Sequence, residues 1–98
     1  MTGDLRDQVS DVAICLGLPA LPEDWTGCDA VWPLLERMRE EGAVVLVKLD
    51  GERGPGDNGA YTVLASGGGL DGDFVRIDSA VLEEGLATVI LGYAEKCW

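Results

Sequence analysis

"AVVLVKLDGERGPGDNGAYTVLASGGGLDGDFVRI", Ala43 to Ile77, decides the fold. Ala43–Leu49 is rich in β-branched residues and reads as a strand. Its near-continuous apolarity predicts cover on both faces or a central position. Asp50–Gly59 holds four glycines and a proline and reads as an exposed loop. Ala60–Ser66 is a second strand, with Tyr61, Val63 and Ala65 on one face and Thr62, Leu64 and Ser66 on the other. Asp73–Ile77 is a third. Consecutive strands joined by loops of this length pair antiparallel most easily.

The glycines between the second and third strands invite a different reading. Gly67, Gly69 and Gly72 match the GxGxxG spacing of a dinucleotide loop. That motif leads into a helix, whereas "DFVRI" is strand-like, and Asp71 and Asp73 would face the pyrophosphate. A phosphate-binding P-loop needs a lysine that is missing here. A calcium loop of the EF-hand type would need a ligand at 75 and a glutamate at 82, where Val75 and Leu82 stand. The stretch reads as a turn with Asp71 and Asp73 at an exposed tip.

Helices flank the strands. Leu5, Val9, Val12, Ala13 and Leu16 recur at helical spacing over Asp4–Leu16, and Gly17 with Pro19 stops that helix. After a loop over Pro19–Gly27, a second helix is expected over about Asp29–Glu41. Asp29 is its N-cap, Pro33 lies in its first turn, and Val31, Leu34, Leu35 and Met38 form its buried stripe. Trp32 lies off that stripe. The last helix is expected over about Ser79–Cys97, capped by Asp78 or Ser79. Leu82, Leu86, Val89, Ile90, Tyr93 and Cys97 point inward, and Gly85 permits a close approach. The whole is an α+β fold, ααβββα, with a three-stranded antiparallel sheet and helices on one face, in a single domain over residues 1–98.

Composition narrows the function. Eighteen acidic residues against seven basic ones give a net charge of −11. Such a chain repels phosphate, so no nucleic acid is expected as a partner, and a basic protein is. No apolar run is long enough to span a membrane, so no membrane role is expected. The acidic start lacks the features of a secretory signal, so the expected location is cytoplasmic. Cys15, Cys28 and Cys97 have no metal-like spacing and read as buried, reduced thiols. With no histidine and no serine or cysteine motif beside a base, no catalytic residue, metal or cofactor is expected. Trp25 and Trp32 flank a polar segment with Asp24 and Asp29. Tryptophan beside carboxylates suits a basic protein surface.

"LGLPALPEDWTGCDAVWPLL" resembles the barstar family of ribonuclease inhibitors, through Leu18, Pro19 or Pro22, Trp25, Gly27, Asp29, Ala30, Val31 and Trp32. In that family this loop and helix carry acidic residues that plug a nuclease site, and Asp29 is the acidic position that carries over. Pro33 stands where the family is acidic. In size, charge and layout the chain is similar to the small acidic immunity proteins of bacterial polymorphic toxin systems. The resemblance implies a non-enzymatic protein that binds and neutralises a basic toxin domain, such as a nuclease. The expected contacts are Asp24, Trp25, Asp29 and Trp32, with Asp50, Glu52 and Asp57 on one loop and Asp71 and Asp73 on another. The alternative is a regulatory or adaptor domain acting by protein–protein interaction or homodimerisation.

Overall fold

The computed structural model describes residues 3–53 and 59–98. Strands β1 (Ala43–Leu49), β2 (Tyr61–Gly67) and β3 (Phe74–Ser79) form an antiparallel meander in the order β1-β2-β3. Helices α1 (Gly3–Cys15) and α2 (Trp32–Glu40) precede it, and α3 (Leu82–Cys97) follows. This is the α+β, ααβββα arrangement expected from the sequence.

Strand alternation sorts the side chains. Val47, Val63 and Ile77 form one row across the sheet and Val45, Ala65 and Val75 the next, both towards the helices. α3 crosses β2 and β3, α2 lies against β1, and α1 packs on α3. The stripes read from helical spacing meet in this layer. Val9, Ala13, Val31, Leu34, Leu35, Met38, Leu86, Val89, Ile90 and Tyr93 are buried there. Two α3 glycines let the helix lie close to the sheet. A Cβ on Gly85 would come within 3.1 Å of Val63 Cγ2, and one on Gly92 within 2.8 Å of Val75 Cγ1.

Among the described residues, no helix covers the opposite face of the sheet. Val44, Leu46 and Phe74 are exposed on it, with Leu64 half-buried between them. This corrects the expectation that β1 is central or covered on both faces. β1 is an edge strand, and only its residues 43, 45 and 47 reach the core. The other end of the open face is polar. The Thr62 hydroxyl donates to Asp78 (2.5 Å), which also meets Arg53 and Arg76 at 3.5 and 3.4 Å.

Two helix starts differ from the expectation. Asp78 and Ser79 do not cap α3. They pair as strand with Thr62 and Tyr61, and Ser79 Oγ bonds Val81 instead. Asp29 does not cap α2 either. It begins a 3-10 turn, Asp29–Val31, entered through Cys28 with no side-chain cap. The thiols also differ from expectation: Cys15 is exposed, and Cys28 and Cys97 are partly buried.

The chain end is fastened to the start of the sheet. Glu41 accepts hydrogen bonds from Tyr93 Oη (2.7 Å), Trp98 Nε1 (3.0 Å) and Arg37 Nε (3.3 Å). Trp98 meets Tyr93 edge to face at 5.0 Å. Burial acts to raise the Glu41 pKa, but the bonds from Trp98, Tyr93 and Arg37 outweigh it and hold the carboxyl below its ordinary 4.5. A lowered carboxyl contributes stability that is present above the unfolded value and lost as pH falls through the folded one. Glu41→Gln is therefore expected to cost about 1 kcal/mol at pH 7. Thermal unfolding at pH 7 and pH 3 checks this: the gap between wild type and variant narrows at the lower pH.

Candidate functional site

Between α2 and β1 runs a groove of about 460 Å³. Its helical wall is Trp32, Leu35, Glu36 and Arg39, which share one face of α2 at i, i+3, i+4 and i+7. Its other wall is β1, through Ala43, Val45 and Val47. Cys28 also lines it. Trp32 stands 56 % exposed at its lip because it lies off the helix's buried stripe. Glu36 and Arg39 pair with each other at 3.1 Å, so that rim carries no net charge.

The Cys28 end is acidic. Glu83, in the first turn of α3, accepts the Gly27 amide at 2.7 Å and so ties the 22–29 loop to α3. The Cys28 thiol pKa is raised by its burial first, then by the charges of Asp29 and Glu83. It is thereby held as a thiol, the opposite of an activated nucleophile. Among the described residues, no cation pairs with Asp24, Asp29 or Glu83. Asp24 is exposed in the same loop. An apolar groove with an uncompensated negative end can hold an apolar group and a cation side by side.

The residues singled out in the sequence divide among several places. Asp24, Asp29 and Trp32 gather at this groove and its loop. Trp25 does not join them. Its ring is 6 % exposed in the core, and its Nε1 donates to the Gly27 carbonyl at 2.7 Å. Asp50 turns inward on its own loop, accepting the Glu52 amide (3.0 Å) and pairing with Lys48 (3.5 Å) and Arg53 (3.4 Å). The Glu52 amide is the largest cause that holds its pKa below the ordinary value. Glu52 itself is exposed, and Asp57 lies outside the described residues.

Asp71 and Asp73 sit where the glycine run was read to put them, but the turn is more structured than a plain tip. Gly68–Leu70 makes a 3-10 turn that buries Leu70, and Asp71 takes a left-handed φ of 49°. Asp73 accepts from Lys96 Nζ (2.5 Å) and the Phe74 amide (2.9 Å), which hold its carboxyl below the ordinary range. Its charge is thus partly answered within the chain. Of the groove and its acidic end, only Trp32 and Asp29 stand out in the sequence. A glutamate such as Glu83 suits any helix start, and nothing local marks its contact with Gly27.

A second hollow, of about 580 Å³, lies between α1 and α3 beside Cys15 and Trp98. Among the described residues, no cluster of histidine, cysteine or carboxylate is placed to hold a metal ion. Nor is any helix among them long and apolar enough to cross a membrane. Comparison of the chain with protein-family models, curated proteins and solved structures found no match.

Proposed function

We propose that the protein is a non-catalytic immunity protein that binds and neutralises a basic toxin domain in the bacterial cytoplasm. The observation that carries this reading is Trp32, exposed over an apolar groove beside Asp29 and Glu83, whose charges no cation among the described residues answers. A large aromatic at a groove lip is the usual anchor of a protein interface, and uncompensated acid beside it selects a basic partner. The net charge of −11 adds long-range attraction for such a partner and repels nucleic acid.

Capture of partners from the native host, followed by mass spectrometry, tests the reading. The expected product is a basic toxin domain whose association slows with added salt and with Asp29→Asn plus Glu83→Gln. Recovery of no basic partner, or of one indifferent to those substitutions, overturns it. A second reading, an adaptor that acts as a homodimer, is favoured by the open sheet face at Val44, Leu46, Leu64 and Phe74. Sedimentation separates the two, since that reading requires a stable dimer without any partner.

A further inference from the structure

One wall of the groove is a strand edge that no other strand among the described residues pairs with. The Asp50 amide donates to the Ala60 carbonyl (2.7 Å), and the same register continues through Lys48↔Thr62 and Leu46↔Leu64. Backbone direction alternates along an antiparallel ladder, so Asp50, Lys48 and Leu46 face β2. The amides and carbonyls of Val45 and Val47 therefore face outward, and no described strand pairs with that side. Proteins often blunt such an edge with proline, a bulge, an inward charge or an edge lysine. β1 has no proline or bulge, its register is continuous, and its one charged residue, Lys48, lies on the open face, away from the Val45 and Val47 wall of the groove.

The groove has a direction. α2 and β1 are joined by Glu41 and Gly42 alone, so Arg39 lies near Ala43 and Trp32 near Val47. Gly85 packs on Val63, the partner of Val47, so the start of α3 and Glu83 lie at the same end. Apolar walls thus run along Val45 and Val47 and finish at acid that no described cation neutralises.

We propose that the β1 edge takes an extended segment of the basic protein partner as a fourth, antiparallel strand. This rests on the reading of the groove as a surface for a basic protein. Alternate side chains of the added strand enter the groove opposite Val45 and Val47, against Leu35 and Trp32. A lysine or arginine at the end beyond Val47 meets Asp29 and Glu83. Main-chain bonds supply affinity, and the groove and acid supply selection. Charge opposes a second copy as the occupant, because each copy carries −11.

The probe is the end-capped heptapeptide KTVTVTK, titrated into isotopically labelled protein and followed by amide NMR and tryptophan emission. Its valines match the groove, and a lysine reaches the acidic end in the antiparallel pairing. Saturable shifts and slowed exchange at the Val45 and Val47 amides are expected, with a blue shift of Trp32. The peptide ETVTVTE is expected to bind about tenfold more weakly or less. N-methylation of both valines removes the donors that face β1 and abolishes binding. Val45→Pro removes an edge donor and abolishes it from the other side; should that variant not fold, the N-methyl peptide makes the same test.

No change at those amides with millimolar peptide overturns the proposal. So does equal binding of ETVTVTE. Shifts of the same amides with protein concentration alone overturn it in favour of a second copy. The peptide needs no natural partner, so the two readings fail separately. Binding of KTVTVTK without any basic partner from the host sinks the immunity reading. A basic partner recovered without peptide binding sinks only the added strand.

Discussion

Gly59→Ala is expected to destabilise the protein by about 3–5 kcal/mol. Gly59 has a φ of +114°, where an L side chain is strained. A Cβ built there would lie 2.2 Å from the Ser79 carbonyl carbon, 2.3 Å from its oxygen and 2.4 Å from the Ala80 nitrogen. All three are backbone atoms, so no side chain can swing aside. Ser79 is also fixed: it pairs with Tyr61 in the sheet, and its hydroxyl bonds both backbone groups of Val81. Relief would mean pulling β3 away from the end of β2. Arg53 adds to the constraint by donating to the Gly59 carbonyl (3.1 Å) while it meets Asp50 and Asp78. The measurement is thermal unfolding, with a drop of at least about 12 °C expected. Gly51→Ala is the control, since its Cβ would meet nothing within 4 Å. Its effect is expected within about 0.5 kcal/mol. Equal melting of the two variants contradicts the packing of Gly59 on Ser79.

Periodicity made much of this fold legible. The stripes Val31, Leu34, Leu35 and Met38 and Leu86, Val89, Ile90 and Tyr93 could be read because a helix repeats locally, and each is buried. The sides of β2 could be read for the same reason. What needed contacts between distant residues could not. Asp78 looks like a helix cap until Thr62 stands across from it. Glu83 looks like a charge suited to a helix start until Gly27 donates to it. The misreading of β1 has another cause: local apolarity outweighed topology. In a three-strand meander the first strand lies at an edge whatever its composition. The apolar residues of Ala43–Leu49 therefore divide between core, groove and open face. That division is why the strand itself was plain in the sequence while the groove beside it was hidden.

The two tryptophans carry the sharpest contrast. They lie seven residues apart, each near an aspartate, and the sequence treats them alike. Trp25 can be buried because its polar atom finds an acceptor two residues on, at the Gly27 carbonyl. Trp32 follows Val31 onto α2, where the helical phase sends Val31 inward and turns Trp32 out over the groove. Trp25→Ala is therefore expected to open a cavity and cost about 3–5 kcal/mol, seen as a lower denaturant midpoint. Trp32→Ala is expected to leave that midpoint nearly in place, within about 0.5 kcal/mol. Its cost falls on binding instead: a partner captured through the groove is expected to lose about 2 kcal/mol, or about thirtyfold in affinity, by calorimetry. Binding lost in a Trp25 variant means little, because the 22–29 loop and the Asp29 end of the groove depend on its packing. Binding lost in Trp32→Ala with the midpoint unchanged has no such explanation and assigns the energy to the groove. A Trp32→Ala protein that unfolds early and still binds its partner would move the interface elsewhere, with the open face at Val44, Leu46 and Phe74 the next surface able to supply apolar contact.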